Sequence, residues 1–414
     1  MTEETLFQAM GWEVTPEGKL LAPMAPAVLD ETPSLPPPGI YFGMPEEEYF
    51  ALPALSSHGV KDLASSPMLY WSRSTFLSDI ARKRKAERDE KERLHHTIGK
   101  AYHCRIMEGR EAFDERFAVW LTEEECEGAL DGTDQIKAAI TAAGHKPFSK
   151  VEDRLPDSDG VGETYMRSAK KADWIDQLLD IDPDARILDK LNEQHMAAHR
   201  GKAFITAEAL DQIEVAAAMI AADPEVRHAF VGGHAEVVLI WHCPTTGVPM
   251  KARCDYLKLG AVVDLKTVAN QQGRSIERAI AHEIANYRYV IQPSVYVEGV
   301  EVVRNLVRHG KATVSIPLTV PHAGAAIIDW VEQWAHGTSV EWLWVFQQKG
   351  DAPITRGLFY PLQGSTRTIT DDIVRKMKIR FRTMSETYGV DPWLDVAPIY
   401  DMADEDLPPW ATEI

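Results

Sequence analysis

The sequence predicts a mixed α/β fold, a central mixed sheet flanked by helices. Two observations carry this. The stretch "AEVVLIWHCPTTGVPMKARCDYLKLGAVVDLKTV" reads as three successive strands, rich in β-branched residues and broken at "CPTTGVP" and "LKLG". Helix-periodic segments lie on both sides of it, and two more strand-like runs, "EWLWVFQQ" and "GLFYPL", follow later. With 414 residues, 45% of them hydrophobic, the chain is long enough to bury a sizeable core.

Taken in order, residues 1–40 are rich in Pro and small residues and predict a flexible N-terminal arm. Residues 41–400 form the main domain. Its first helix is "SSHGVKDLA", capped by Ser56 or Ser57 and ended by "SSP". "ARKRKAERDEKER" holds seven basic and four acidic residues from Arg82 to Arg93. It fits a solvated helix face with i,i+4 pairs and a DNA-contacting segment equally well. Residues 94–119 predict a helix and an extended piece. Residues 120–230 read as mostly helical, as in "TAEALDQIEVAAAMIAADP", where Thr206 caps and Asp223-Pro224 breaks. "SIERAIAHEIANYRYVIQPSVYVEGVEVV" and "TITDDIVRKMKIRFRTMSETYG" are helical, the latter ending at Gly389. An acidic tail covers 401–414.

Composition excludes several classes. No stretch reaches the roughly 18 apolar residues of a membrane span, and the N-terminus lacks a signal-peptide pattern. A soluble, cytoplasmic protein is expected. The four cysteines, Cys104, Cys126, Cys243 and Cys254, form no C-x-x-C pair, so a zinc ribbon or disulfide scaffold is not expected. The net charge of −19 argues against a general nucleic-acid binder, but not against an enzyme with a local basic channel.

Chemistry concentrates in the three strands. Glu236 opens the first, Asp255 lies in the second, and Asp264 and Lys266 lie in the third. Side chains two apart on a strand share a face, so Asp264 and Lys266 point the same way. A lone Asp-x-Lys on a strand is more often an ion pair than a site. A short antiparallel turn, however, brings Asp255 beside Asp264. Two such carboxylates repel unless a divalent cation lies between them. A lysine on that face suits metal-assisted attack on a phosphodiester.

D-x₈-D-x-K on a hairpin resembles the signature of the PD-(D/E)xK nuclease superfamily. "GKAYHCRIMEG" looks like the G-x-x-x-H helix of its RecB-like branch, and "QPSVY" resembles that branch's Q-x-x-x-Y motif. "LSSHGVKDLASSPMLYWSR", "GKAYHCRIMEGREAFDERF", "HAEVVLIW" and "LPPWA" resemble the RecE-type, exodeoxyribonuclease VIII-like domain. The chain departs from the pattern in having Cys254, not proline, before Asp255, and Pro293 inside the motif.

The resemblance implies a restriction-endonuclease-like core with helical insertions at about 120–230 and 303–340. It also implies Mg²⁺, with Mn²⁺ substituting, held by Asp255, Asp264, His103 and the Leu265 backbone carbonyl. Lys266 acts on the attacking water and Glu236 supplies a nearby acid. Gln292, Tyr296, Ser57, Arg82 and Lys83 are the expected substrate contacts. The activity implied is 5′ to 3′ exonuclease action on linear duplex DNA, leaving 3′ overhangs for a phage-type, RecT-like annealing partner. The enzyme would be a ring-shaped trimer or tetramer. Two alternatives stand beside it: a RecB-like endonuclease or single-strand exonuclease, and a catalytically degenerate DNA-binding module.

Overall fold

The computed structural model describes residues 34–91, 93–154, 164–270, 272–317, 323–348, 353–395 and 402, with two short paired strands at Glu13–Val14 and Leu20–Leu21. The rest of the predicted arm, and the acidic tail with "LPPWA" apart from Met402, lie outside the described residues. The chain forms two compact units, one of Met1–Arg93 with Val215–Ile414, the other of Leu94–Glu214.

The first unit holds a seven-stranded sheet. Its strands are β1 (Gly39–Tyr41), β2 (Gly233–His242), β3 (Pro249–Lys258), β4 (Ala261–Val268), β5 (Thr313–Ser315), β6 (Glu341–Gln348) and β7 (Thr355–Tyr360). Their order is β5-β1-β2-β3-β4-β6-β7. β5 pairs parallel with β1, and β4 parallel with β6, while the other neighbours are antiparallel. The sheet is therefore mixed, as the sequence predicts. β1 starts within the last residues of the Pro-rich arm, so that stretch enters the sheet. β5 and a helix, Ala323–Ala335, lie within the segment 303–340.

β2 shows why these residues make an interior strand. Val237, Leu239 and Trp241 pack into the main core, while Val238 and Ile240 pack with Tyr41, Met44, Tyr49 and Leu52 in a second cluster. Alternate side chains thus bury both faces.

The helices that matter most are α1 (Ser57–Ser65), α2 (Asp79–Lys91), α3 (Ile276–Asn286), α4 (Ile291–Arg308) and α5 (Ser365–Tyr388). Ser56 caps α1, accepting from the Gly59 amide at 3.2 Å, and α1 ends before Pro67. α5 ends at Gly389, whose φ of 56° suits a left-handed cap. α4 packs closely on the sheet. A Cβ at Gly299 would meet ring carbons of the buried Trp241 at 2.8 Å, so the helix needs glycine there. Pro293 is the third residue of α4, where its missing N–H removes no intrahelical bond.

The second unit carries helices Thr133–Ala142, Lys171–Ile181 and Leu188–Ala198 around a small core of Ile136, Ile140, Ile175, Leu178 and Ile187. It also contains a hairpin, Lys150–Arg154 with Thr164–Ser168, and a parallel pair, Phe117–Val119 with Ala203–Ile205. The stretch expected to be mostly helical thus includes strands. The hairpin strand Thr164–Ser168 is largely exposed, and the strands of the parallel pair are only three residues long, so they carry no clear two-residue alternation. Among the described residues, no helix is long and apolar enough to cross a membrane.

Candidate active site

β3 and β4 position the acidic pair. Their register pairs Val262 with Leu257 and Val263 with Tyr256. One step further along places Asp264 opposite Asp255. There the strands exchange a different contact, since the Leu265 amide donates to Asp255 Oδ2 at 3.0 Å. β4 lies between β3 and β6, so Asp264 and Lys266 stand on an interior strand. Asp264 is 2% exposed. Its Oδ2 meets Lys266 Nζ at 2.6 Å, and its Oδ1 accepts from Gln292 Nε2 at 3.2 Å.

The electrostatics follow from burial and proximity. Burial pushes the Asp255 carboxyl up, while Lys266, the Leu265 amide and Arg253 pull it the other way. Burial works against the Lys266 ammonium, but the Asp264 and Asp255 carboxylates outweigh it. They hold the Nζ proton above the ordinary lysine value. Cys254, next to Asp255 on β3, has its thiol pushed well up by burial and then by Asp255, Asp264 and Glu236.

Glu236 stands opposite Asp255, in the gap between the paired Ala235–Tyr256 and Val237–Cys254. Its φ is +55°, uncommon for a side chain of this kind. Its carboxylate pairs with Arg253 at 2.5 Å. Strain of this sort clusters at functional sites.

The other expected residues sort as follows. Gln292 reaches the site, through Asp264. Tyr296, one helical turn on, is buried edge-on against Trp342, with ring centroids 5.4 Å apart. Its hydroxyl is raised by burial and also feels Asp255 and Asp264. Ser57 is buried in the first turn of α1. Arg82 is engaged by Asp79 and the Thr75 carbonyl, whereas Lys83 is exposed on α2. His103 is half-buried on helix Arg93–Met107, within the second unit. Leu265 contributes its N–H, which donates to Asp255.

Lys61 and Tyr289 escaped the sequence reading. Lys61 and Lys266 both approach the Tyr289 ring, at 5.2 and 5.1 Å from its centroid. Burial lowers Lys61 to about 8, helped by the like charge of Lys266 and opposed by Asp264 and Asp62. Lys61 lies four residues after Ser57, on the same face of α1, a spacing that could have pointed to it.

Residues 163–312 match a family model described as "PDDEXK-like domain of unknown function (DUF3799)". That segment carries Asp255, Asp264, Lys266 and Gln292 together. That segment is similar to a PDDEXK-like domain. No curated protein matches the chain. A crystal structure from Eubacterium rectale, described as "Putative exonuclease", is similar at 15% identity and a TM-score of 0.28. The match covers 47% of this chain and 60% of that one, less than two thirds of its length. A likeness that low carries neither fold nor activity.

The donor chemistry of the site fits a hard divalent cation. Asp255 and Asp264 offer adjacent carboxylate oxygens, the kind Mg²⁺ and Mn²⁺ prefer. Among the described residues, no group of three or more His, Cys, Asp or Glu is arranged to hold a metal. Mg²⁺ commonly binds one or two carboxylates and fills its remaining positions with water and substrate phosphate.

Proposed function

We propose that the chain is a metal-dependent deoxyribonuclease that hydrolyses phosphodiester bonds at the ends of linear duplex DNA. The observation that carries this is the coupled set Asp255, Asp264 and Lys266, with Gln292 bonded to Asp264. A cation held by Asp255 and Asp264 would supply Lewis-acid charge to the phosphate and acidify a bound water. The side chains do the rest. The Leu265 amide fixes Asp255, and Gln292 fixes Asp264. Lys266, 2.6 Å from Asp264, stands where it can neutralise charge growing on the phosphate.

The finer reading follows from the RecE-type resemblance. The reaction runs 5′ to 3′ and leaves 3′ overhangs for an annealing partner of RecT type. A ring-shaped homo-oligomer with a basic channel would reconcile the −19 charge with DNA binding.

The test is digestion of linear duplex labelled at either the 5′ or the 3′ end, with Mg²⁺ and with EDTA, beside a closed circle. Early, metal-dependent release of the 5′ label, with the circle intact, supports the proposal. Cutting of the circle makes the protein an endonuclease. A second reading, a catalytically silent DNA-binding module, draws on the absence of a three-ligand cluster among the described residues. Calorimetry that finds no Mg²⁺ or Mn²⁺ uptake, together with intact DNA, would favour it.

A further inference from the structure

The turn between α3 and α4 carries an aromatic pair that the reaction just described does not use. Arg288 adopts a φ of +49°, and the Tyr287, Arg288 and Tyr289 amides all bond back to the end of α3. The left-handed residue between them brings two tyrosines that are two apart in sequence onto one side. Their rings stack with centroids 5.5 Å apart and planes 16° from parallel. Tyr289 is the inner ring, with Lys61 and Lys266 at its surface. Tyr287 is the outer ring and is 56% exposed. A large aromatic left this open, stacked on a ring that touches the active-site lysine, is not explained by core packing.

We propose that the Tyr287–Tyr289 stack is a platform for an unpaired nucleobase of the DNA strand whose phosphate enters the Asp255–Asp264–Lys266 site. This rests on the nuclease reading for its placement, but not for its chemistry. Every base has a π-face, so such a platform holds any base without reading sequence. Cations border it, with Lys61 and Lys266 at the inner ring and Arg288 exposed in the turn. They suit the phosphates that flank a stacked base. The substrate class that follows is a DNA end with at least one unpaired nucleotide.

The probe is a short duplex with an unpaired terminal 2-aminopurine, bound by the full chain in EDTA so that nothing is cleaved. Stacking quenches this base. Wild-type protein is expected to quench it, and Tyr287→Ala to lose the quench and bind about 5- to 150-fold more weakly, the range for one base stacked on an aromatic ring. Tyr287→Phe, which keeps the ring and loses only the hydroxyl, should behave as wild type. The proposal is overturned by any of three results. These are binding by Tyr287→Ala within twofold of wild type, equal weakening by Tyr287→Phe, or no quench by wild type. If wild type quenches and Tyr287→Ala does not, yet wild type leaves DNA intact with Mg²⁺ and Mn²⁺, the platform stands and the nuclease reading falls.

Discussion

Exchange of Lys266 for methionine keeps the volume and removes the charge that faces Asp264. Asp264 is 2% exposed, and Lys266 retains 16% side-chain exposure, so solvent screens the pair weakly. Breaking a buried pair from one side typically costs about 3–5 kcal/mol, because the remaining charge stays buried. Here Gln292 still donates to Asp264, and the carboxylate can take up a proton. The expected loss is therefore at the lower end, about 3 kcal/mol. Asp264→Asn should cost a similar amount, since it leaves the lysine with Asp255 alone. The double variant should fall well short of the sum, because it leaves neither charge stranded. Urea unfolding of all four proteins in EDTA gives the coupling, expected at about 2 kcal/mol or more. Single losses that add to within about 0.5 kcal/mol would refute the claim that these side chains act as one coupled pair. In the presence of Mg²⁺, each single variant should also lose DNA cleavage.

Further outcomes follow from the same structure. Gln292→Ala should lower stability by about 1.5–3 kcal/mol, the usual worth of a hydrogen bond to a charged group, read from chemical denaturation. Gly299→Ala drives a methyl group into the Trp241 ring and should lower stability by about 1–3 kcal/mol, seen as a fall in Tm. Lys61 is lowered to about 8, so between pH 8 and its unfolded value of 10.5 the native state binds fewer protons than the unfolded one. Its contribution to metal-free stability therefore rises with pH across that window, and Lys61→Met should flatten the Tm profile there. Iodoacetamide should label the partly exposed Cys126 first in the folded protein, whereas Cys254, buried and with its thiol pushed up, should stay unlabelled until unfolding, as peptide mass mapping would show.

Much of the central architecture was legible because its signals are local. Val262, Val263, Leu265 and Val268 mark a strand by branching and apolarity, and "LKLG" marks the turn that sets Asp255 against Asp264. Gln292 was legible through its spacing from Tyr296, and the start of α4 at Ile291 removes the objection that Pro293 raised. What stayed hidden depends on contacts distant in sequence. Nothing near Lys61 shows that α1 lies beside Tyr289, some 230 residues later. The Arg253 pairing with Glu236 depends on a backbone twist at Glu236 that an extended strand reading does not anticipate. The parallel pairing of β5 with β1 joins Thr313 to Gly39, and strands of three residues give little periodicity to read.

The bond from the Leu265 amide to Asp255 makes one backbone proton a reporter on the acidic pair. Most amides of an interior strand donate to a neighbouring carbonyl, and their magnetic environment is set by the sheet alone. This one donates to an ionisable oxygen. Its proton chemical shift should follow the protonation of Asp255, and should move again when a cation competes for that oxygen. A single labelled leucine could thus follow the charge state of the site by NMR, without substrate and without altering any side chain in it.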